Sequence, residues 1–203
     1  ARRSSPMAES GIRLIVGLGN PGPEYEATRH NVGFWLAEAI AAAHGGVFRL
    51  EPKFHGLLAR VTLGGQDLRL LKPATYMNRS GQSVAAVARY FEVAPEQTLV
   101  AHDELDLPVG VLRLKQGGGH AGHNGLRDII NALGSREFWR LRIGIDHPGE
   151  RHLVTNYVLG RAPKADEAAI RERFPEAEGA LPDLIGGQFQ RAMHRLHSSR
   201  RAP

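Results

Sequence analysis

The chain has 203 residues, with 26 Lys+Arg against 21 Asp+Glu, ten His and no Cys, a length that suits one globular domain with its own core. The net charge of +5 favours a phosphate-bearing partner over a small neutral metabolite. The lack of Cys excludes disulfides, thiolate nucleophiles, Fe–S clusters and Cys-ligated zinc, and no apolar run is long enough for a transmembrane helix.

Residues 1–10 contain Met7 but no apolar stretch of the signal-peptide kind. They read as a flexible extension or an expression scar, and residues 11–203 as a single domain, cytoplasmic by default. Arg13 to Leu18 is a nearly continuous apolar run, which predicts a strand buried on both faces. Turn residues follow at Gly19-Asn20-Pro21-Gly22-Pro23. Val32 to Ala43 has helical spacing and stops at Gly45-Gly46, a C-terminal cap signal. Leu57–Leu63 and Leu68–Leu71 flank Gly64 to Asp67 as a hairpin. Ser80 to Phe91 predicts a helix closed by Pro95, and Thr98–Ala101 and Val111–Lys115 predict two short strands. After Gly117-Gly118-Gly119, Asn124 reads as the cap of a helix that runs to Leu133 and ends at Gly134. Phe138 to Ile145 alternates as a strand with one wetter face, and the last forty residues are mostly helical from Pro163. Strands alternating with helices, plus one hairpin, predict an α/β fold: a single domain with a twisted mixed sheet covered by helices on both faces. In such sheets ligands gather at the carboxyl ends of the strands, where Asn20, Asn78 and Asp103 fall.

Gly17-Leu18-Gly19-Asn20-Pro21-Gly22 matches the spacing of a dinucleotide-binding fingerprint. Pro23 and the polar Thr28-Arg29-His30-Asn31 delay the helix that should follow at once, and no acidic residue stands where a ribose would be read. The run is therefore treated as a turn rather than a nicotinamide site.

The unusual feature is a set of amide, imidazole and carboxylate side chains at segment ends: Asn20, His30, Asn31, Asn78, His102, Asp103, His120, His123 and Asn124. A His–Asp pair supplies a general base near neutral pH, and neutral amides supply donors to an oxyanion without titrating. Together they suggest attack of water on an ester or activated amide; no nucleophile-elbow serine motif is present. Each residue also has a plainer reading. Asn20 suits a turn, Asn124 a cap and His30 a solvated turn, while Asp103 to Asp106 reads as an acidic loop. His120 and His123 with Asp103 or Asp106 form a loose zinc-ligand alternative.

Val16 to Gly22, Tyr25 and Thr28-Arg29-His30-Asn31-Val32-Gly33 resemble the opening signature of bacterial peptidyl-tRNA hydrolases. Lys72-Pro73 with Tyr76-Met77-Asn78-Arg79-Ser80-Gly81 is similar to that family's central motif. His102 to Pro108 and Gly117 to Leu126 complete four motifs in register, with Ala121 where glycine is also common. The likeness runs from about Ile12 to His197. It implies a monomeric enzyme that cleaves the ester joining a peptide to tRNA, with His30 as base, Asp103 orienting it and Asn20 placing the carbonyl or its oxyanion. It further implies that Asn78 and Asn124 hold the peptide backbone and the tRNA 3′ end. Tyr25 and Met77 would line the cleft, His123 would stand at its rim, and Lys115 and Arg142 would clamp the 5′ phosphate. No metal or cofactor is implied.

The basic residues Arg113, Lys115, Arg127, Arg136, Arg140 and Arg142, against Asp128 and Glu137, suit a surface that follows a phosphate backbone. Arg191, Arg195, Arg200 and Arg201 extend it or belong to a frayed tail. An RNA-binding protein without catalysis is the alternative function. The presence of His30, Asp103 and the Asn set favours the enzyme.

Overall fold

The computed structural model describes residues 11–198. The expectations for residues 1–10 and for Arg200 and Arg201 lie outside them. The chain begins with β1 (Leu14–Gly17), every residue of which is buried. It lies between two parallel neighbours, β4 (Gln66–Pro73) and β5 (Thr98–Glu104). With β2 (Arg49–Glu51), β3 (Gly56–Leu63), β6 (Leu112–Gln116) and β7 (Trp139–Gly144) the sheet has seven strands in the order β2-β3-β4-β1-β5-β7-β6. The β2–β3, β3–β4 and β6–β7 pairs are antiparallel, so the sheet is mixed, as expected.

Alternation along the strands divides the core. Ile15, Leu99, Ala101 and Leu141 face α1 (Val32–Ala43) and the C-terminal helices α5 (Lys164–Arg171), α6 (Phe174–Gly179), α7 (Leu181–Ile185) and α8 (Phe189–Ser198). Leu14, Val16 and Val100 face α2 (Ser80–Tyr90) and α3 (Asn124–Leu133). Helices thus cover both faces, because each strand carries apolar side chains on both sides. Both sheet edges are short or shielded, which hinders strand addition. β2 has three residues, and on β6 the backbone N–H of Leu114 donates to His197 Nε2 of α8 at 2.9 Å.

Local signals are satisfied where they were strongest. Gly45 has a left-handed φ of 72° and the Gly46 N–H bonds back to the Ala41 carbonyl, closing α1. Gly64 and Gly65 both have positive φ and form the two-residue hairpin turn, shorter than the four residues expected. Gly134 ends α3 in the left-handed conformation.

Other boundaries differ. β5 runs three residues past Ala101, because His102, Asp103 and Glu104 pair with Arg142, Ile143 and Gly144 of β7. Asp103 therefore belongs to a strand rather than to a solvated loop. β7 lacks the wetter face expected of it, since Arg140 is buried. His123, not Asn124, caps α3: its Nδ1 accepts from the Gly125 and Leu126 N–H groups. Pro163 precedes α5 rather than starting it. β2 and α4 (Val154–Val158) had no sequence expectation.

The glycines of the apparent fingerprint serve close packing. A Cβ on Gly17 would lie 2.2 Å from the Gly33 carbonyl oxygen, and one on Gly33 would lie 2.4 Å from the Ala101 oxygen. The first turn of α1 therefore rests directly on the carboxyl ends of β1 and β5. Gly33→Ala is expected to destabilise the fold by about 1–3 kcal/mol through overpacking, read as a lower urea midpoint. A change below about 0.5 kcal/mol, the range of ordinary surface substitutions, would show that α1 shifts freely.

Candidate active site

The carboxyl ends of β1 and β5 open into a cleft of about 850 Å³. One helical turn, Arg29–Asn31, precedes α1 and brings His30 there. Its Nδ1 lies 2.8 Å from Asp103 Oδ2 at the end of β5. The other Asp103 oxygen, Oδ1, is 2.8 Å from His123 Nε2 at the start of α3. Because His123 Nδ1 already accepts from the helix, its proton sits on Nε2 and is donated to Asp103. Asp103 thus accepts from two imidazoles, and His30 donates through Nδ1, which leaves its Nε2 lone pair for the cleft that His30 lines.

Burial alone would raise the pKa of Asp103. Electrostatic attraction to His30 and His123, with their hydrogen bonds, outweighs burial and holds the carboxyl well below its ordinary value. For His30 the largest single effect is again burial, which lowers its pKa. The Asp103 charge and hydrogen bond together exceed that effect and leave it above 6.5. His102 lines the same cleft with its ring centre 5.2 Å from that of His123, donates from Nδ1 to the Asp103 carbonyl and is pushed down to about 3 by burial and by His123. It is a neutral imidazole at physiological pH.

Asn20 is fixed by a reciprocal pair. Asn31 Oδ1 accepts from the Asn20 N–H at 2.8 Å, and Asn31 Nδ2 donates to the Asn20 carbonyl at 2.9 Å. Asn20 Oδ1 in turn accepts from the Met77 N–H at 2.7 Å, which leaves the Asn20 Nδ2 donors for the cleft. Asn31 belonged to the polar set but had no assigned task; it is the clamp on Asn20. Asn78 and Asn124, both exposed, line the same cleft with Met77 and His123. Tyr25 does not line it. The Tyr25 ring packs edge-on against Tyr76, which does, with centroids 6.4 Å apart.

Lys115 of β6 and Arg142 of β7 lie on one face of the sheet and reach the cleft. Lys115 is exposed, whereas Arg142 Nε donates to Glu104 Oε1 at 3.0 Å. Arg140, expected to follow phosphate, instead donates to the carbonyls of Gly118, at 2.6 Å, and Gly119. Burial at the foot of the glycine loop brings its pKa down to about 10. Arg191, another expected phosphate contact, lies 3.8 Å from Asp183. The pairing was invisible in sequence because no local pattern tells a guanidinium that supports a loop from one that faces solvent.

His30, Asp103 and His123 present three potential metal-ligand atoms within 4.8 Å of one another. Ligand atoms on a tetrahedral zinc stand about 3.3 Å apart, given bonds near 2.0 Å; at 2.8 Å each imidazole–carboxylate pair has the spacing of a hydrogen bond. His120 lies outside this group and its Nδ1 accepts from the Gly122 N–H. Of the loose zinc alternative in the sequence, His123 and Asp103 come together and His120 does not, and His30, Asp103 and His123 form a hydrogen-bonded chain.

A buried His–Asp pair, a second imidazole and a clamped amide share one cleft with basic residues at its rim. Residues 14–203 match a family model described as peptidyl-tRNA hydrolase. The chain belongs to the peptidyl-tRNA hydrolase family. The peptidyl-tRNA hydrolase of Pseudomonas putida (strain GB-1) is 57% identical over 190 residues, spanning 93% of this chain and 98% of that one. That of Azotobacter vinelandii is 54% identical over 188 residues, or 92% and 97%. The crystal structure of the Acinetobacter baumannii peptidyl-tRNA hydrolase aligns with a TM-score of 0.90 at 50% identity, covering 93% and 96%. Membership of the peptidyl-tRNA hydrolase family makes the protein a hydrolase that acts on an ester bond. No helix among the described residues is long and apolar enough to cross a membrane.

Because Asp103 is what lifts the His30 pKa above 6.5 while burial opposes it, Asp103→Asn is expected to bring that pKa below 6.5. An NMR titration of the ring protons reads the shift directly; an unmoved or higher value would mean another group governs the imidazole.

Proposed function

We propose that the chain hydrolyses peptidyl-tRNA by general-base catalysis, with His30 as the base. The observation that carries this reading is the 2.8 Å Nδ1–Asp103 bond, which leaves His30 Nε2 for a cleft shared with the Asn20 amide. A water on the cleft side gives its proton to Nε2 as its oxygen adds to the ester carbonyl carbon. Asp103, held ionised by two N–H donors, stabilises the imidazolium formed and fixes the ring in place. The Asn20 Nδ2 donors stabilise the oxyanion of the tetrahedral intermediate, a contribution of about 3 kcal/mol for one such donor. Collapse breaks the bond to the ribose 3′ oxygen, which leaves with the proton held by His30. The products are a peptide carboxylate and a free tRNA 3′ hydroxyl.

Asn78 and Asn124, each with a donor and an acceptor, hold the peptide backbone and the 3′ end of tRNA. They read the amide next to the ester, not a side chain, so any peptide is accepted. Met77 positions Asn20 through its N–H, His123 holds the second Asp103 oxygen at the rim, and Tyr25 supports the cleft from behind Tyr76. Lys115 and Arg142 bind the 5′ phosphate; Glu104 holds the Arg142 guanidinium in place while reducing its net charge. One chain supplies every residue invoked, so the enzyme acts as a monomer, in the cytoplasm where ribosomes make its substrate.

His30→Ala is expected to lower peptide release from peptidyl-tRNA by about 10²–10⁴-fold, the range of general-base catalysis, while tRNA binding persists. Unchanged release would remove His30 from the chemistry. In the wild type, kcat/KM should climb with pH through a limb above 6.5, since a raised pKa keeps the base protonated, and inactive, to higher pH. EDTA should leave turnover intact, and a chelator-sensitive enzyme restored by zinc would replace this mechanism with a metal-assisted one. Replacing Lys115 and Arg142 together by Gln should reduce the slope of log K against log salt by about 1; an unchanged slope would place the phosphate elsewhere.

A further inference from the structure

The residue next to the proposed base makes contacts that the chemistry above does not use. Arg29 lies in the same helical turn as His30 but points away from Asp103, toward the far wall of the cleft. Its Nη1 donates to the Tyr157 carbonyl at 3.0 Å, and its guanidinium carbon stands 3.8 Å from the centre of the Tyr157 ring. Its backbone N–H donates to the Gly160 carbonyl at 3.1 Å. Tyr157 and Gly160 lie at the C-terminal end of α4, where the Tyr157 carbonyl also accepts from the Gly160 N–H at 3.1 Å and a cation is favoured. The Tyr157 hydroxyl donates to the Ile145 carbonyl just beyond β7 at 2.5 Å, which anchors the ring. Neighbouring strands of chain reinforce the join: Thr28 bridges Arg161, and the Ala162 N–H donates to the Ala27 carbonyl.

The other side of α4 forms part of the cleft, through Val154, Thr155, Val158 and the exposed Leu159. This wall is mostly apolar, in contrast to the basic rim at Lys115 and Arg142. With five residues, α4 is too short to be stable alone; its position depends on what holds its ends. Arg29 holds one end, and the following residue in the chain is His30.

We propose that Arg29 is a positioning residue, which fixes the α4 wall relative to the His30 imidazole and acts on turnover through that wall. This rests on the assignment of His30 as the base. Substrate placed against α4 is thereby placed against His30, because both are set by one helical turn. An ångström-scale misplacement of reacting groups is enough to cost about 10²-fold in rate, so a loosened wall is expected to show in kcat more than in tRNA affinity.

The test is a double-mutant cycle in the full chain with peptidyl-tRNA as substrate, using Arg29→Gln, Leu159→Ala and the pair. Arg29→Gln is expected to lower kcat by about tenfold, at the scale of one lost cation–π and hydrogen-bond contact, with tRNA affinity within about twofold. Amide hydrogen exchange should quicken across residues 154–160 and stay unchanged in β1 and β5, and Arg29→Lys should recover part of the rate. In the Leu159→Ala background the Arg29→Gln loss should shrink below about threefold, because the wall it positions is already cut back. Equal losses in both backgrounds, unaltered exchange in α4, or a kcat fall that accompanies exchange throughout β5 would each overturn the proposal. If Arg29→Gln does not fold, Tyr157→Leu removes the stacking face and is carried through the same cycle with the same two readings. Retained hydrolysis in His30→Ala would remove the base assignment alone; the Arg29–Leu159 coupling and the exchange of α4 are read without that variant.

Discussion

The structure depends on one buried carboxylate shared by two imidazoles. An isolated ionised Asp at the position of Asp103, whose side chain is 2% exposed, would be strongly disfavoured. Two N–H donors at 2.8 Å make the charge tolerable. Each donor is then committed, with a consequence elsewhere. His30 must present its Nε2 lone pair to the cleft. His123 must keep its Nδ1 unprotonated, and that lone pair starts α3 by accepting from Gly125 and Leu126. The tautomer of one histidine therefore joins the electrostatics of the site to the position of a helix and of Asn124 at its first turn.

The second constraint is steric. His30 reaches Asp103 because α1 begins almost in contact with the sheet, and that approach requires hydrogen at both Gly17 and Gly33. The same closeness lets Asn31 clamp the Asn20 backbone, so the turn after β1 and the turn before α1 are locked together. On the opposite side Arg140 ties down Gly118 and Gly119, where glycine tolerates the positive φ of residue 118. Ala121 in the same loop also has a positive φ, 47°, a conformation costing an alanine about 1 kcal/mol. Departure from glycine there adds local strain without moving the His123 cap.

Elements whose evidence is local were readable in the sequence. β1 showed as a doubly buried run, α1 and α3 as periodic segments with glycine stops, and the hairpin by its Gly-Gly. Asn20, His30, Asn78, Asp103 and Asn124 showed as polar groups at segment ends, and the four motifs in register supplied the family. Long-range packing decided the remainder. β5 continues through His102 and Asp103 only because β7 pairs with it, and no apolar pattern announces that. β2 has two exposed residues of three, and α4 is held by Arg29 rather than by its own periodicity. His123 as a cap escaped notice because the usual capping residues are Ser, Thr, Asp and Asn. Arg140 and Arg142 were both counted in the basic patch, with Arg142 also given to the phosphate clamp, yet one supports a loop and the other pairs with Glu104.

That last distinction bears on how a base can operate beside a polyanion. Cations that attract phosphate would, if set next to His30, depress its pKa and weaken it as a proton acceptor. The charge that acts on His30 is instead that of Asp103, which raises it. The basic groups stand on β6 and β7, the Arg142 charge is offset by Glu104, and Arg140 is buried against carbonyls. The cleft carries neutral amide donors at Asn20, Asn78 and Asn124 and cations at Lys115 and Arg142. On the proposed reading, phosphate recognition falls to Lys115 and Arg142 and proton transfer to His30, and exposed charges are screened over a Debye length of about 8 Å at physiological salt. On that reading, affinity for the nucleic acid changes with salt while the basicity of the imidazole stays governed by its buried partner.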